Sequence, residues 1–338
     1  LNASDALNLA IKGIAHNERV RRHHAGSNAP VHFITTSMDH NSVLRPLNAL
    51  AADPLGAPVE WTCLPAHPET GLVDPADLKA AIRPDTALVI AIHASNVSGA
   101  IQPVADLGAI CRDAGAPFLV DAAQTAGRIP IDTDAMHIDL LAFPGHKYLM
   151  GPLGAGALFI RPGLEERIDP LREGGTGTTS ESDIHPDTLP DRYEPGSHNT
   201  LGIIGLSAGV QWITDQTVDT LWARERKLIS QITESLADTN AYPGLNLLGP
   251  NSPDNRVGVY SITHDAIPPH ELAAVLESEF AILTRAGVHC APRAHATFGT
   301  RDTGGATRLS VGPFNTAEDI ERALGALREI CAHTAATP

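Results

Sequence analysis

Two residues of opposite charge follow neighbouring strand-like stretches and could act on one ligand. Asp121 directly follows the apolar run Phe118–Val120, and Lys147 comes 26 positions later, after the strand-like stretch Asp139–Phe143. In an open α/β sheet, the carboxyl ends of such strands meet at the edge where ligands bind. A lysine there can form a Schiff base and an aspartate can keep a pyridine nitrogen protonated, and pyridoxal phosphate requires both groups. The pair therefore predicts a pyridoxal phosphate site, with an Asp–Lys surface pair as the alternative.

The scarcity of lysine singles out Lys147. Only four of the 24 basic residues are lysines. The other three, Lys12, Lys79 and Lys227, lie in helical patterns with ordinary polar surroundings, whereas Lys147 follows a buried-strand pattern. Lys147 is therefore the predicted point of covalent attachment.

Strand-like and helical stretches alternate over the first 160 residues. The predicted strands are Val31–Thr35, Val59–Leu64, Ala87–His93, Phe118–Val120, Asp139–Phe143 and Gly156–Ile160, and the predicted helices are Val43–Ala51, Pro75–Ala81 and Val104–Ala114. Another helix begins the chain, with Ser4 as its expected N-cap. This alternation is typical of an α/β fold with an open, mostly parallel sheet.

The remaining residues predict a long loop and a second, smaller domain. Residues 171–200 form an irregular stretch that is rich in Gly, Thr and Pro. One long helix is expected over 203–236. The predicted strands beyond it are Val257–Ile262, Ala281–Thr284 and Thr307–Val311, and the predicted helices are Pro269–Phe280 and Ala317–Ile330. At about 150 residues per domain, we expect a large domain over 1–200, a connecting helical segment over 201–245 and a small α+β domain over 246–338.

Composition excludes several classes of function. The 24 basic and 39 acidic residues give a net charge of −15, so nucleic acid is not an expected partner. The longest apolar run, Ala87–Ile92, is too short to span a bilayer, and no signal peptide begins the chain. The four cysteines are too scattered for a disulfide framework, and His289, Cys290 and His295 lack four-ligand metal spacing. We expect a cytoplasmic protein with reduced thiols and no metal.

Eight motifs, in order along the chain, carry a family resemblance. They are Ser4–Asn8, Met38–Pro46, His93–Gly99, Val120–Gln124, Gly145–Lys147, Arg192–Thr200, Arg285–Pro292 and Arg308–Ser310. With them the chain resembles the class V aminotransferases, which are pyridoxal phosphate enzymes of fold type I, and among these the cysteine desulfurases and selenocysteine lyases. The resemblance implies a large α/β/α domain with a mostly parallel central sheet, a smaller C-terminal α+β domain and a homodimer.

The resemblance also implies roles for the residues that would hold the cofactor. Lys147 would form the Schiff base, Asp121 would pair with the pyridinium nitrogen, and Gln124 would donate to the phenolate oxygen. His40 would stack on the pyridine ring and assist proton transfer. Ser4 and His146 would bind the phosphate. The hydroxyl of Ser197 would reach the phosphate that is bound in the neighbouring subunit.

Substrate residues follow from the same resemblance. Arg308 would pair with the α-carboxylate of the substrate, with Asn96 and Arg285 assisting. Cys290 would be the nucleophile that accepts sulfur. Its neighbours His289 and Arg285, in a loop bounded by Gly and Pro, are expected to lower its pKa as cations and to leave it exposed. The other cysteines, Cys63, Cys111 and Cys331, lie in strand or helix patterns and are predicted to be packing residues.

The chain also departs from the family pattern. Pro144 replaces the usual Ser or Thr before Gly-His-Lys, which removes a hydroxyl from the phosphate site, and Ser197 stands where Thr is commoner. The resemblance also implies additional sequence before Ser4, including a segment near the substrate, which the printed sequence does not include.

The predicted reaction moves sulfur from L-cysteine to Cys290 as a persulfide, with release of alanine and a protein as the possible sulfur acceptor. Alternatives are a selenocysteine lyase, another class V reaction such as transamination, epimerisation or C–S lysis, and a scaffold without catalysis.

Overall fold

The computed structural model describes residues 1–336 and contains two sheets. The helices are α1 (Ala3–His24), α2 (Asn41–Ala52), α3 (Pro75–Ala81), α4 (Val104–Ala114), α5 (Thr200–Gln216), α6 (Val218–Leu236), α7 (Pro269–Phe280), α8 (Pro292–Thr297) and α9 (Ala317–Ala336). The strands are β1 (Val31–Thr36), β2 (Val59–Leu64), β3 (Thr86–Ile92), β4 (Phe118–Asp121), β5 (Leu140–Pro144), β6 (Gly156–Ile160), β7 (Leu245–Leu247), β8 (Val259–His264), β9 (Arg285–Gly287) and β10 (Ala306–Ser310).

The larger sheet confirms the predicted α/β architecture. Its six strands run in the order β2-β1-β3-β4-β5-β6, and all pairs are parallel except the edge pair of β5 and β6. Alternate side chains enter two cores: Phe33 packs with Leu7 and Leu47 of α1 and α2, while Ile34 packs with residues of α3 and α4 such as Leu107. Burial on both faces explains why these strands are nearly continuous apolar runs. We call this sheet with its helices the large unit.

The smaller sheet forms a second unit with its own core. Its four strands are antiparallel in the order β7-β8-β10-β9. Tyr260 and Ile262 of β8 pack against α7 and α9, where Leu272, Leu276 and Leu324 are buried. We call this sheet with α6, α7 and α9 the small unit.

The first helix begins earlier than predicted. Its N-cap is Asn2, whose side chain accepts a hydrogen bond from the backbone N–H of Asp5, so the expected N-cap role of Ser4 is wrong. Asn is as good an N-cap as Ser, and the sequence offers both within three residues. Ser4 consequently lies in the first turn of α1, and its hydroxyl bonds to the hydroxyl of Ser42 at 2.6 Å.

The stretch predicted as one long helix is two helices. Thr217 separates α5 from α6 with φ 62°, outside the helical region, and its hydroxyl accepts the N–H of Thr220 to cap α6. The apolar pattern continues across this residue, so periodicity alone did not reveal the break.

The strand predicted at Ala281–Thr284 is also wrong. Ala281 ends α7 in the left-handed conformation (φ 53°), and Leu283 is 80% exposed. The strand is instead β9, Arg285–Gly287, because these residues pair with β10. Two further elements, β7 and α8, were not predicted at all. The loop over 171–199 is irregular as predicted, without a helix or strand.

The two units are joined by backbone hydrogen bonds and a buried arginine. The N–H of Val257 donates to the carbonyl of Gly99, and a Cβ at Gly99 would lie 2.5 Å from the carbonyl oxygen of Val259. The guanidinium of Arg256 is fully buried and donates to the carbonyls of Ser98, Pro250 and Val259. These contacts fix the small unit against the carboxyl edge of the large sheet.

None of the helices within residues 1–336 is both long enough and apolar enough to cross a bilayer.

Candidate active site

A cavity of about 490 Å³ lies at the carboxyl edge of the large sheet. Residues that are far apart in the sequence together form its wall. The predicted site residues in its wall are Ser4, His40, Asn96, Asp121, Gln124, His146, Lys147, Arg285 and Arg308. Of the predicted set, Cys290 and Ser197 alone lie outside this wall.

Asp121 ends β4 and is almost wholly buried. Its Oδ1 accepts a hydrogen bond from the N–H of Ala123 at 2.9 Å. Burial raises the pKa of Asp121, and the positive charge of Lys147 opposes that rise. A cationic N–H placed in the cavity would satisfy the carboxylate further. The small side chains of Ala122 and Ala123 leave room for a flat ring beside it.

Lys147 is held by a tight turn that follows β5. The N–H of Gly145 donates to the carbonyl of Ala155, and the N–H of Gly151 returns to the carbonyl of Gly145 at 2.8 Å. Burial lowers the pKa of the Lys147 amine, the carboxylate of Asp121 acts in the opposite direction, and the positive charges of Arg308 and Arg285 lower the pKa further. A lysine with a lowered pKa is more readily neutral, as attack on a carbonyl requires.

His40 caps α2 and lines the cavity at the same time. Its Nδ1 accepts the backbone N–H of Ser42 at 3.1 Å. Burial, and then the charge of Lys147, lower the pKa of His40 to about 4. The ring is therefore neutral near pH 7, and because Nδ1 accepts a hydrogen bond, its proton resides on Nε2. His40 thus combines the capping position of α2 with a place in the cavity wall.

One end of the cavity offers donors for an anion. It includes the start of α1 at Asn2 and Ser4, where helix N–H groups lack partners within the helix and the dipole favours negative charge. Ser42 and the exposed imidazole of His146 complete this end. Pro144 also lines the cavity and offers no hydroxyl. Ser42 supplies a hydroxyl that the sequence analysis missed, although it stands only two residues after His40.

Two arginines from neighbouring strands also line the cavity. Arg308 of β10 and Arg285 of β9 are direct cross-strand partners, so their side chains share one face of the small sheet. Burial lowers the pKa of Arg308, and the charge of Arg285 adds to this effect. The Nε of Arg308 is buried without a hydrogen-bond partner among the described residues. Like charges in this position are unfavourable unless an anion lies between them, so the pair predicts a carboxylate ligand.

Cys290 lies next to this arginine pair. Its Sγ is 3.6 Å from the Nη2 of Arg285, and its side chain is half-buried. The backbone at both His289 and Cys290 is left-handed, with φ of 49° and 58°. Burial raises the pKa of Cys63 and Cys331 and raises that of Cys111 to about 12. The contact with Arg285 beside the cavity makes Cys290 the thiol placed for chemistry.

The predicted role of His289 as a cation beside Cys290 is wrong. His289 is buried, and burial lowers its pKa to about 4. Its Nε2 donates to the carbonyl of Arg285 at 2.9 Å, so its Nδ1 must accept the Nε2–H of His295 at 3.1 Å. His295, whose pKa burial also lowers to about 4, then accepts the hydroxyl of Thr300. This neutral chain holds the Cys290 loop, and the positive charge in direct contact with the sulfur is that of Arg285.

Asn96 supports the same loop. Its Nδ2 donates to the backbone carbonyl of His289 at 2.7 Å, and its backbone carbonyl accepts a hydrogen bond from Nη1 of Arg308. Asn96 therefore ties the cysteine loop to the arginine, while its Oδ1 is buried without a partner among the described residues. Ser197 is exposed in the loop over 171–199, away from the cavity wall of its own chain.

Comparison with known proteins identifies the family. The family description "Aminotransferase class-V" matches residues 2–323. The chain belongs to the class V aminotransferase family. A probable cysteine desulfurase of Pyrococcus abyssi is 33% identical over 97% of this chain and 77% of its own length. A probable cysteine desulfurase of Methanothermobacter thermautotrophicus is 35% identical over 78% of this chain, and the matched part is 65% of that relative.

Solved structures of the family have the same fold. The apo cysteine desulfurase of Thermococcus onnurineus superposes with a TM-score of 0.86 at 32% identity, over 98% of this chain and 78% of that one. A cysteine desulfurase of Escherichia coli gives a TM-score of 0.83 at 25% identity, with the same coverage of both chains. The mixed α/β fold with its mostly parallel central sheet is thus that of class V aminotransferases.

The residues of the cavity fit the cofactor of this family. The carboxylate of Asp121, the amine of Lys147 and the anion-binding end around Ser4 and Ser42 provide one partner each for a pyridine nitrogen, an aldehyde and a phosphate. The two arginines remain for a substrate carboxylate. Within residues 1–336, no group of three or more His, Cys, Asp or Glu residues is arranged to hold a metal ion.

Proposed function

We propose that this protein is a pyridoxal phosphate-dependent cysteine desulfurase. The observation that carries the proposal is the position of Cys290, whose sulfur lies beside Arg285 at the border of a cavity that contains Lys147 and Asp121. Class V enzymes of other activities need the lysine and the aspartate but no thiol. The names of the relatives support the same activity.

The chain's own residues divide the work as follows. Asp121 would hold the ring nitrogen, Gln124 the phenolate oxygen, and Ser4, Ser42 and His146 the phosphate. Bound there through Lys147, pyridoxal phosphate supplies the electron sink that weakens the bonds at the α and β carbons of the substrate.

The substrate would be oriented and attacked by residues of the small unit. Arg308, with Arg285, would bind the α-carboxylate in a charge-assisted pair. The Cys290 thiolate would form a bond to the sulfur of L-cysteine as the bond between that sulfur and Cβ breaks. Lys147 and His40 would move protons to the carbons. The balance is L-cysteine plus Cys290 thiol giving L-alanine plus Cys290 persulfide, with no external oxidant.

Selenocysteine lyase activity uses the same groups and is the second candidate. Both need the carboxylate-binding arginines and the lysine, and they differ in whether Cys290 must attack. The gathering of nine predicted residues in one wall supports an enzyme over a scaffold without catalysis.

We also propose a homodimer in which the partner completes the site. Leu201, Ile203 and Ile204 of α5 are 83%, 52% and 61% exposed, and Leu153 at the mouth of the cavity is 75% exposed. Large apolar side chains exposed beside a cavity are typical of an interface. Ser197 lies just before α5, and its hydroxyl would contact the phosphate that is bound in the second subunit. With four free thiols, the proposed location is the cytoplasm, where a protein acceptor would take the sulfur.

The Cys290→Ser variant tests the activity. With cofactor and L-cysteine, the wild type should form a persulfide on Cys290, detected by mass spectrometry, and release sulfide when a reductant is added. Cys290→Ser should bind cofactor with an unchanged spectrum but lose both products, because a hydroxyl is almost wholly protonated near neutral pH. Cys63→Ser is the matched control and should behave as wild type. Sulfide and alanine production by Cys290→Ser near the wild-type rate would make the protein a lyase.

A further inference from the structure

A groove of about 610 Å³ lies next to the cysteine loop. Its wall contains Arg45 of α2, Arg293 of α8 and Arg301, and we call it the arginine groove. All three side chains are exposed, and no carboxylate lines the groove. Within residues 1–336, none of the three forms an ion pair.

This concentration of positive charge is unusual for the chain. Acidic residues outnumber basic ones by 39 to 24, and many other arginines are neutralised by an Asp or Glu. Asp302 follows Arg301 directly but is not in the groove wall. Arg293 is held in place because its guanidinium stacks on the ring of Trp61 at 4.7 Å. Three unneutralised arginines on two helices and a loop thus present to one groove the donors that bind carboxylates in proteins.

The groove and the active cavity share the cysteine loop as a common wall. The N–H of Asn41, which lines the groove, donates to the carbonyl of Cys290 at 2.8 Å. His40, the residue before Asn41, lines the cavity, and Pro292, two residues after Cys290, lines the groove. A protein seated in the groove would therefore contact the loop that carries Cys290.

We propose that the arginine groove docks the sulfur acceptor, and that this acceptor is a protein with an acidic surface around its own receiving cysteine. The inference rests on the proposed desulfurase function. The net charge of −15 repels an acidic partner over most of the surface, so attraction to the groove also orients it. The acceptor thiolate forms a bond to the outer sulfur of the Cys290 persulfide, the S–S bond breaks, and the electron pair returns to Cys290. Sulfur is transferred without net oxidation.

Short thiol peptides test the groove without an identified acceptor. The cofactor-loaded enzyme is first converted to the Cys290 persulfide with L-cysteine and desalted. It is then mixed with the capped peptides Asp-Glu-Cys-Glu-Asp or Asn-Gln-Cys-Gln-Asn, and peptide persulfide is measured against time. Each rate is divided by the rate of the same peptide with glutathione persulfide, which corrects for the different thiol reactivities.

The acidic peptide should react about tenfold faster than the neutral one at low salt, and this preference should fall towards one at 0.5 M salt because screening weakens such attraction. R45E, and separately R293E with R301E, should abolish the preference while dithiothreitol still releases sulfide at the wild-type rate. Arg45 lies on a different element from Arg293 and Arg301, so a folding defect in one variant leaves the other variant informative.

The control is R224E, which makes the same charge change at an exposed arginine of α6 outside the groove. Equal rates for the two peptides on the wild type, or an equal loss of preference in R224E, would overturn the docking proposal. Failure to form any persulfide on Cys290 would instead overturn the proposed function, so the two failures are distinguishable.

Discussion

The ion pair of Arg128 and Glu225 is expected to contribute strongly to the stability of the protein. Their side chains are 1% and 4% exposed. The Nε of Arg128 donates to both carboxylate oxygens of Glu225 at 2.7 and 3.0 Å, and its Nη2 donates to Glu225 and to the carbonyl of Val311. Glu225 also accepts the N–H of Gly258. The guanidinium lies 4.0 Å from the ring of Tyr148, the residue after Lys147, so the pair joins the lysine turn to the small unit.

Removing one partner should be far worse than replacing both. Glu225→Leu would leave a guanidinium buried without a counter-charge, which destabilises by about 3–5 kcal/mol. The double variant Arg128→Met with Glu225→Leu removes both charges and fills a similar volume, and such replacements are often neutral. The double variant should therefore be about 3–5 kcal/mol more stable than Glu225→Leu alone.

Urea unfolding of the single and double variants measures this difference as a coupling free energy. The exposed pair Arg83 and Asp85, with 40% exposure on each side, is the control and should couple by at most about 1 kcal/mol. The argument from burial would be refuted if Glu225→Leu lowered the free energy of unfolding by less than about 1 kcal/mol. It would also be refuted if the double variant lowered that free energy by the sum of the two single losses.

Three further predictions follow from the site and the surface. Borohydride reduction of the cofactor-loaded protein should place a pyridoxyl label on Lys147, and Lys147→Ala should carry none, whereas label on Lys12, Lys79 or Lys227 would refute the assignment. Unfolded histidine gains a proton near pH 6.5 but His289 and His295 only near pH 4, because burial lowers each pKa. The contribution of these two histidines to the free energy of unfolding should therefore fall from pH 6.5 towards pH 4, and His295→Asn should lower the measured change in unfolding free energy by up to about 1.4 kcal/mol per pH unit over this range in urea titrations. Sedimentation equilibrium should give a dimer that Ile204→Lys weakens, since Ile204 is 61% exposed on α5; a wild-type monomer that holds cofactor firmly would contradict the shared site.

Local sequence determined much of the large unit. Helix α3 has the predicted bounds because Asp74 caps it and Pro75 occupies its first turn, and both signals are readable from the sequence. The strands that precede Asp121 and Lys147 are buried on both faces, so they could be recognised in the sequence as apolar runs. The carboxyl-edge location of both residues followed from that pattern alone.

Long-range contacts were not predictable in the same way. Strand β9 exists because Arg285 pairs with Arg308, 23 residues later in the chain, whereas the more apolar segment before it has no partner strand. His289 was predicted to be a cation because the local sequence does not reveal its burial. That burial involves His295 and a hydrogen bond to the carbonyl of His289 from Asn96, 193 residues away. The domain limits at 200 and 246 and the roles of the individual site residues stay predictions.

The seam at Gly99 and Arg256 has a mechanical consequence. Interfaces between the parts of a chain usually permit hinge motion. Here, opening a hinge would strip three carbonyl oxygens from a buried guanidinium and break the backbone bond between Val257 and Gly99. Lys147 and Arg308, on opposite sides of the seam, should therefore keep a fixed separation during turnover. Amides along the seam, such as that of Val257, should exchange with solvent only as slowly as the whole protein unfolds.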